Sequence, residues 1–182
     1  MVHRKPLLDL IERYRAEWPD EAAVAERVRA LVAAHPDCFE RRCAPGHVTG
    51  SAFVVSPDLR RCLLVHHRKL DRWLQPGGHA DGEGDLAAVA LREAREETGL
   101  AGLSFATGSG EPLPFDLDVH QIPALGGEPA HEHHDVRFLL IADPAEPPRA
   151  SDESHAARWF DLDELPAEES LARMARKLRA RR

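Results

Sequence analysis

The chain has 182 residues, 43% of them hydrophobic and 30% charged, which is enough apolar material for one well-packed domain plus an accessory element. A formal net charge of -7 argues against broad nucleic acid binding, which draws on clustered basic side chains, so a long nucleic acid is not an expected partner. Apolar runs fall far short of the roughly 20 residues that cross a bilayer, and the opening Met1-Val2-His3-Arg4-Lys5-Pro6 does not read as a secretory leader, so a soluble, cytoplasmic protein is expected.

In chain order, Leu7 to Glu17 predicts a short amphipathic helix with Leu10, Ile11 and Tyr14 on its apolar side. Pro19-Asp20-Glu21 can cap a second helix, Ala22 to Ala34, whose apolar face holds Val24, Val28, Leu31 and Val32 and which Pro36 ends. Residues 1–44 therefore read as an N-terminal helical extension, serving either as a cap on residues 45–182 or as a homodimer contact. Cys38, Cys43 and Cys62 are an odd set without paired zinc spacing, even with His47 added, and free thiols are expected.

His47 starts a strand. Ser51 to Val55 and Cys62 to His66 flank the turn Pro57-Asp58 and predict an antiparallel hairpin. His66 and His67 lead into Arg68-Lys69-Leu70-Asp71-Arg72, a basic turn where Arg68, Lys69 and Arg72 are candidates to meet substrate phosphates.

The most informative run is Pro76-Gly77-Gly78-His79 through Leu100. Asp85 can cap a helix over Leu86 to Thr98, and Gly99 is a natural stop. At about 100° per residue Glu93, Glu96 and Glu97 share one face, while Ala87, Leu91, Ala94 and Thr98 form the adjacent packing face. Stacked carboxylates repel, and a hard divalent cation, Mg2+ or Mn2+, relieves the conflict while keeping waters for exchange with substrate phosphates. Gly77 and Gly78 would permit close backbone approach and positive φ beside such an ion.

Beyond this helix come a strand near Leu103 to Gly108, a half-exposed strand from Phe115 to Ile122, a buried strand from Asp135 to Ala142, a short strand at Arg158 to Phe160 and a helix from Glu169 to Leu178. Residues 108–114, 123–129 and 144–155 read as loops at a pocket rim; the last carries Glu146, Asp152 and Glu153 and is either a simple solvated loop or one that swings over the site and recruits a further metal ion. If the buried strand begins early, His131, His133 and Asp135 point to one side and Glu132, His134 and Val136 to the other. With His79 and His120 they could hold a metal, contact phosphate or stiffen a sheet edge. Trp73, Phe105, Phe115 and Trp159 could each stack on a ring or fill the core.

Gly78, Arg92, Glu93, Ala94, Glu96, Glu97, Gly99 and Leu100 fall at the spacing of the Nudix box, and the chain resembles Nudix hydrolases there, in the loop Leu74 to His79 and in Trp159 to Leu165. The resemblance implies an α/β fold, an α-β-α sandwich with a mixed sheet behind the helical extension. It also implies a Mg2+- or Mn2+-dependent pyrophosphohydrolase that acts on a small diphosphate linked to another moiety such as a nucleoside. By resemblance Glu93 and Glu97 are metal ligands, with Glu96 sharing the ion or orienting water. His79 joins the metal set, and Arg92 belongs to the catalytic group. Gly77, Gly78, Arg68, Lys69, Arg72 and His133 are the substrate-side candidates.

One position departs from the family pattern. Gly84 stands where the first glutamate is expected, which removes the usual partner of Arg92, with Glu83 and Asp85 flanking the gap. This leaves as a rival a catalytically weak module that binds or senses a diphosphate ligand. Isopentenyl diphosphate isomerases also carry a Gly-His with a metal-ligating histidine in this loop, but they place a catalytic cysteine where this chain has Gly77, so an isomerase is the lesser alternative.

Overall fold

The computed structural model describes residues 4–107, 110–124, 127 and 129–181. In chain order the elements are α1 (Lys5–Glu17), a 3-10 turn, α2 (Ala22–Ala34), β1 (Gly46–Val55), β2 (Arg61–His67), β3 (Arg72–Leu74), β4 (Gly77–His79), α3 (Leu86–Thr98), β5 (Ser104–Phe105), β6 (Pro114–Ile122), β7 (His131–Ile141), β8 (Ser154–Asp161) and α4 (Glu169–Ala180).

β1 is buried along its whole length and forms the spine of a mixed sheet. It runs parallel to β7 from Gly46↔Glu132 to Val55↔Ile141, and antiparallel to β4 from Thr49↔His79 to Ser51↔Gly77. Its register with β2 covers Val54↔Leu63 and Val55↔Cys62, so the expected hairpin is a small part of its pairing. The strand expected to start at His47 and the one expected from Ser51 to Val55 are a single element, because the small and polar residues Gly46 to Gly50 are held by β7 and β4 rather than by apolar alternation.

Alternation along the strands divides the core in two. Val48, Ala52, Val54, Leu63, Val136, Phe138 and Leu140 face α1, α2 and α3. Phe53, Val55, Cys62, Leu64 and Phe115 face α4, which answers with Leu171, Met174, Ala175 and Leu178. The result is the anticipated α-β-α sandwich. α1 and α2 bury Leu7, Ile11, Tyr14, Val28, Leu31 and Val32 in the same cluster as the sheet, and Arg4 caps the end of α2 by donating to the Val32 and Ala33 carbonyls at 2.8 Å each. Among the described residues no helix is long and apolar enough to cross a membrane.

Two other elements differ from expectation. β5 is two residues long, and β8 extends back to Ser154, placing His155 in a strand. β8 pairs with β2 from Arg61↔Asp161 to His67↔Ser154, so a neighbour's backbone holds its polar first half where side-chain periodicity gives no strand signal.

Toward the other end of the α4 side, the sheet face turns ionic. Arg137 on β7 is 2% exposed and donates to Asp135 at 2.8 Å, Asp116 at 3.1 Å and Asp118 at 2.9 Å. Arg173 and Lys177 of α4 close the network on Asp116. Burial by itself would push the Asp118 and Asp135 carboxyls up. His120, Arg137 and Arg173 outweigh it at Asp118, Arg137 and Ser51 outweigh it at Asp135, and both carboxyls sit below the usual carboxylate range. Arg137→Met should therefore destabilise the protein by about 3–5 kcal/mol in urea unfolding at pH 7, since it strands buried carboxylates. Arg137 holds the carboxyls down in wild type and burial alone would raise them in the variant, so the deficit should be largest near neutral pH and shrink toward acid pH as the stranded aspartates take up protons.

Candidate active site

α3 forms as its ends dictate. The Asp85 carboxylate accepts from the Ala87 and Ala88 amides at 3.0 and 3.1 Å, and Gly99 leaves the helix at φ 67°, a left-handed turn that glycine makes without strain. The helix then lies against the short strand β4. A Cβ on Gly78 would stand 2.5 Å from the Glu93 carboxyl carbon, so a side chain there would push the Glu93 carboxyl aside. The expected positive φ is not found at Gly77 or Gly78, which are extended strand residues; what their size permits is close approach.

The Gly77 amide donates to Glu97 at 2.9 Å. Glu97 is 7% exposed, deeper than a metal-facing side chain on an open surface would be. Burial raises its carboxyl to about 7 against the help of the Gly77 amide, and the charges of Glu93, Glu153 and Glu96 add to the rise. Burial also raises Glu93, although Arg92 opposes it. Glu96, with 60% of its side chain exposed, reaches solvent.

Arg92 has found partners other than the flanking acids. Its guanidinium meets Glu93 at 2.6 Å, Glu96 at 3.5 Å and the His79 carbonyl at 3.4 Å. Asp85 is occupied as the helix cap, and Glu83 accepts from the Asp85 amide at 2.9 Å. The gap at Gly84 is thus made up from within the helix.

The three glutamates do not converge on one point. Among the described residues, the donor trios gathered within 4.8 Å of one another are His47, His79 and His133, and His35, Asp37 and Cys43. Like charges separate, and each carboxylate of α3 has its own neighbour: Arg92 for Glu93, the Gly77 amide for Glu97, solvent and Arg92 for Glu96.

The histidines collect on the opposite face of β4. β7 does begin early, so His131, His133 and Asp135 share a face, while His134 turns the other way to Glu132 at 3.1 Å. Register places His47 beside His133 and Thr49 beside both His79 and Asp135. The His133 ring lies 4.8 Å from that of His47, 5.0 Å from His79, 5.1 Å from His131 and 5.6 Å from His120. Burial, together with the neighbouring imidazoles, lowers His47 to about 4 and His133 to about 3, so both are neutral at physiological pH.

The basic turn is more committed than its sequence suggests. Arg68 donates to the Asp152 carbonyl at 3.1 Å and the Ser154 carbonyl at 3.2 Å, and Arg72 pairs with Glu168 at 2.7 Å. Lys69 is exposed. The loop that Arg68 anchors carries Glu153, an exposed residue whose charge adds to the rise at both Glu93 and Glu97. Glu146 instead accepts from the Ala101 and Gly102 amides at 2.9 and 3.2 Å. Sequence reasoning places His47 at the start of a strand but does not group it with His79 and His133. Its one local signal is the polar alternation His47, Thr49, Ser51 within a buried strand.

The chain, a mixed sheet between helical layers with a carboxylate helix pressed on a glycine strand, belongs to the NUDIX family of pyrophosphate-bond hydrolases, whose domain model matches residues 46–180. No functionally curated protein matches it. Among solved structures it is similar to a C. elegans Ap4A hydrolase complex, at 17% identity over 73% of this chain and 95% of that one, TM-score 0.56. A NUDIX-family hydrolase from Clostridium perfringens is similar at 19% identity over 75% and 98%, TM-score 0.56. The E. coli dihydroneopterin triphosphate pyrophosphohydrolase is similar at 16% identity over 71% and 92%, TM-score 0.54. At such identities the likeness is one of fold.

The buried carboxyl of Glu97 has a thermodynamic consequence. Its folded value of about 7 lies above the unfolded one, so its contribution is full below about pH 4.5 and lost as pH rises through 7. Glu97→Gln, which can still accept from the Gly77 amide, should make chelator-treated protein more stable than wild type at pH 8, by about 1–3 kcal/mol. Thermal unfolding of the two proteins at pH 5 and pH 8 checks this: the gap should open only at the higher pH.

Proposed function

We propose that this protein hydrolyses the phosphoanhydride of a small molecule in which a diphosphate is joined to a further moiety such as a nucleoside, with Mg2+ or Mn2+ as its cation. The observation that carries the reading is the contact of α3 with β4, which sets the Glu93 and Glu97 carboxyls against a strand stripped of side chains at Gly77 and Gly78. Oxygen donors that are buried, mutually repelling and flanked by open backbone suit a hard cation. Glu93 and Glu97 would hold it, with Glu96 and Glu153 within the same electrostatic group. When bound, the cation neutralises charge on the phosphoryl oxygens and acidifies the attacking water.

The protein's own groups do the rest. Glu96, exposed at the edge of the set, accepts the proton of the attacking water. Arg92 spans Glu93 and Glu96 and fixes their separation. The Gly77 amide orients Glu97. Arg68 acts by positioning the Glu153 loop, while Lys69 is left to meet substrate phosphate. Arg72, tied to Glu168, and His133, placed among imidazoles, stand apart from this set.

Arg92's pairing with Glu93 and Glu96 favours turnover over a merely ligand-binding module, since the departure at Gly84 does not leave the motif arginine adrift. An isomerase that needs a thiolate finds no support: burial pushes Cys38 up to about 11 and Cys43 and Cys62 up to about 12.

Against dinucleotides, nucleotide sugars and nucleoside triphosphates with Mg2+ or Mn2+, wild type should release phosphate or a monophosphate from at least one class. Glu97→Gln should lose roughly 100-fold or more while remaining folded. Inertness across the panel with both cations, or undiminished turnover by Glu97→Gln, would contradict the reading.

A further inference from the structure

We propose that His47, His79 and His133 form a second metal site, separate from the glutamates and selective for a borderline divalent ion of the zinc class. Three strands distant in sequence, β1, β4 and β7, each deliver one imidazole to the same point, and one ligand atom from each lies within 4.8 Å of the others. The ring centroids are 4.8 to 5.1 Å apart.

An independent observation points to a ligand. His47 is 2% exposed, and neither of its ring nitrogens has a hydrogen-bond partner. Burying such a group with nothing to bind costs on the order of 1–3 kcal/mol, whereas an imidazole nitrogen with a free lone pair is what a zinc-class ion takes. The approach needed is small: nitrogens about 2.0–2.1 Å from a tetrahedral ion stand roughly 3.3 Å from each other, so rotamer adjustments of order 1 Å close the set.

Donor type separates the two sites. The histidine trio contains no carboxylate: Asp135 already accepts from Thr49 at 2.8 Å, Ser51 at 2.6 Å and Arg137 at 2.8 Å, and Asp81 from Arg41 at 2.6 and 2.7 Å. Nitrogen donors favour zinc-class ions and oxygen donors favour Mg2+ or Mn2+. β4 stands between the sets, with Gly78 turned to Glu93 and His79, one residue on, turned to His47. His131, whose Nε2 is 3.3 Å from that of His133, is placed to complete the shell or to border an open fourth position.

The site is tested independently of hydrolysis by titrating chelator-treated, full-length protein with Co2+ and following its visible d–d absorption. Wild type should take up one Co2+ per chain with bands of nitrogen-ligated cobalt, and Zn2+ should displace it. Glu93→Gln/Glu97→Gln should leave the spectrum in place. His133→Gln and His79→Gln, the latter at a half-buried position, should each weaken binding at least tenfold. Absence of stoichiometric uptake, bands unmoved by either histidine substitution, or bands lost with the glutamates would overturn the proposal, whatever the panel of diphosphates shows.

Discussion

The chemistry proposed for the glutamates depends on how closely α3 can lie against β4. Gly78 makes the contact possible: with any side chain there, the Glu93 carboxyl would be displaced. The contact buries Glu97 as well, and burial is what makes these carboxyls reluctant to hold charge on their own. Such a helix stores an electrostatic conflict whose natural relief is a cation, and this physical logic, rather than the presence of acidic residues, makes the surface a candidate for chemistry on phosphates.

β4 is also a partition. A three-residue strand cannot bury much, but its alternation sends Gly78 toward α3 and His79 toward the imidazoles. Behind the imidazoles the same sheet face carries Thr49, Ser51 and Asp135, then Arg137 with Asp116 and Asp118, then the α4 residues Arg173 and Lys177. The network is fully buried at its centre, and Arg137 holds three carboxylates in one arrangement, which fixes β7 and with it the position of His133. The ionic layer thereby takes over a stretch of sheet where the apolar core under α4 stops.

What can be read from sequence here is what is local. α3 is legible because its cap Asp85, its stop Gly99 and its 3.6-residue periodicity all lie within fifteen positions. The orientation of His131, His133 and Asp135 is legible because a strand alternates whatever it pairs with. The role of His47 is not, because it depends on the parallel register His47↔His133, across more than eighty residues of chain. Glu153 is hidden for the same reason, since its place is set by Arg68 gripping the backbone of a distant loop. The basic turn is legible only in part: that Arg72 pairs with Glu168, at the start of α4, depends on a residue far along the chain. Gly84 reads as a lesion in the motif only while Glu93 and Glu96 are not seen to share Arg92.

The central claim is that one short strand separates an oxygen-donor site from a nitrogen-donor site. Anomalous diffraction from crystals soaked in Mn2+ and, separately, in Zn2+ tests it most directly. The account predicts a manganese peak bounded by Glu93 and Glu97 on the α3 side of β4 and a zinc peak among His47, His79 and His133 on the other. A single position taken by both metals, or manganese seated on the histidines with the glutamates bare, would contradict it.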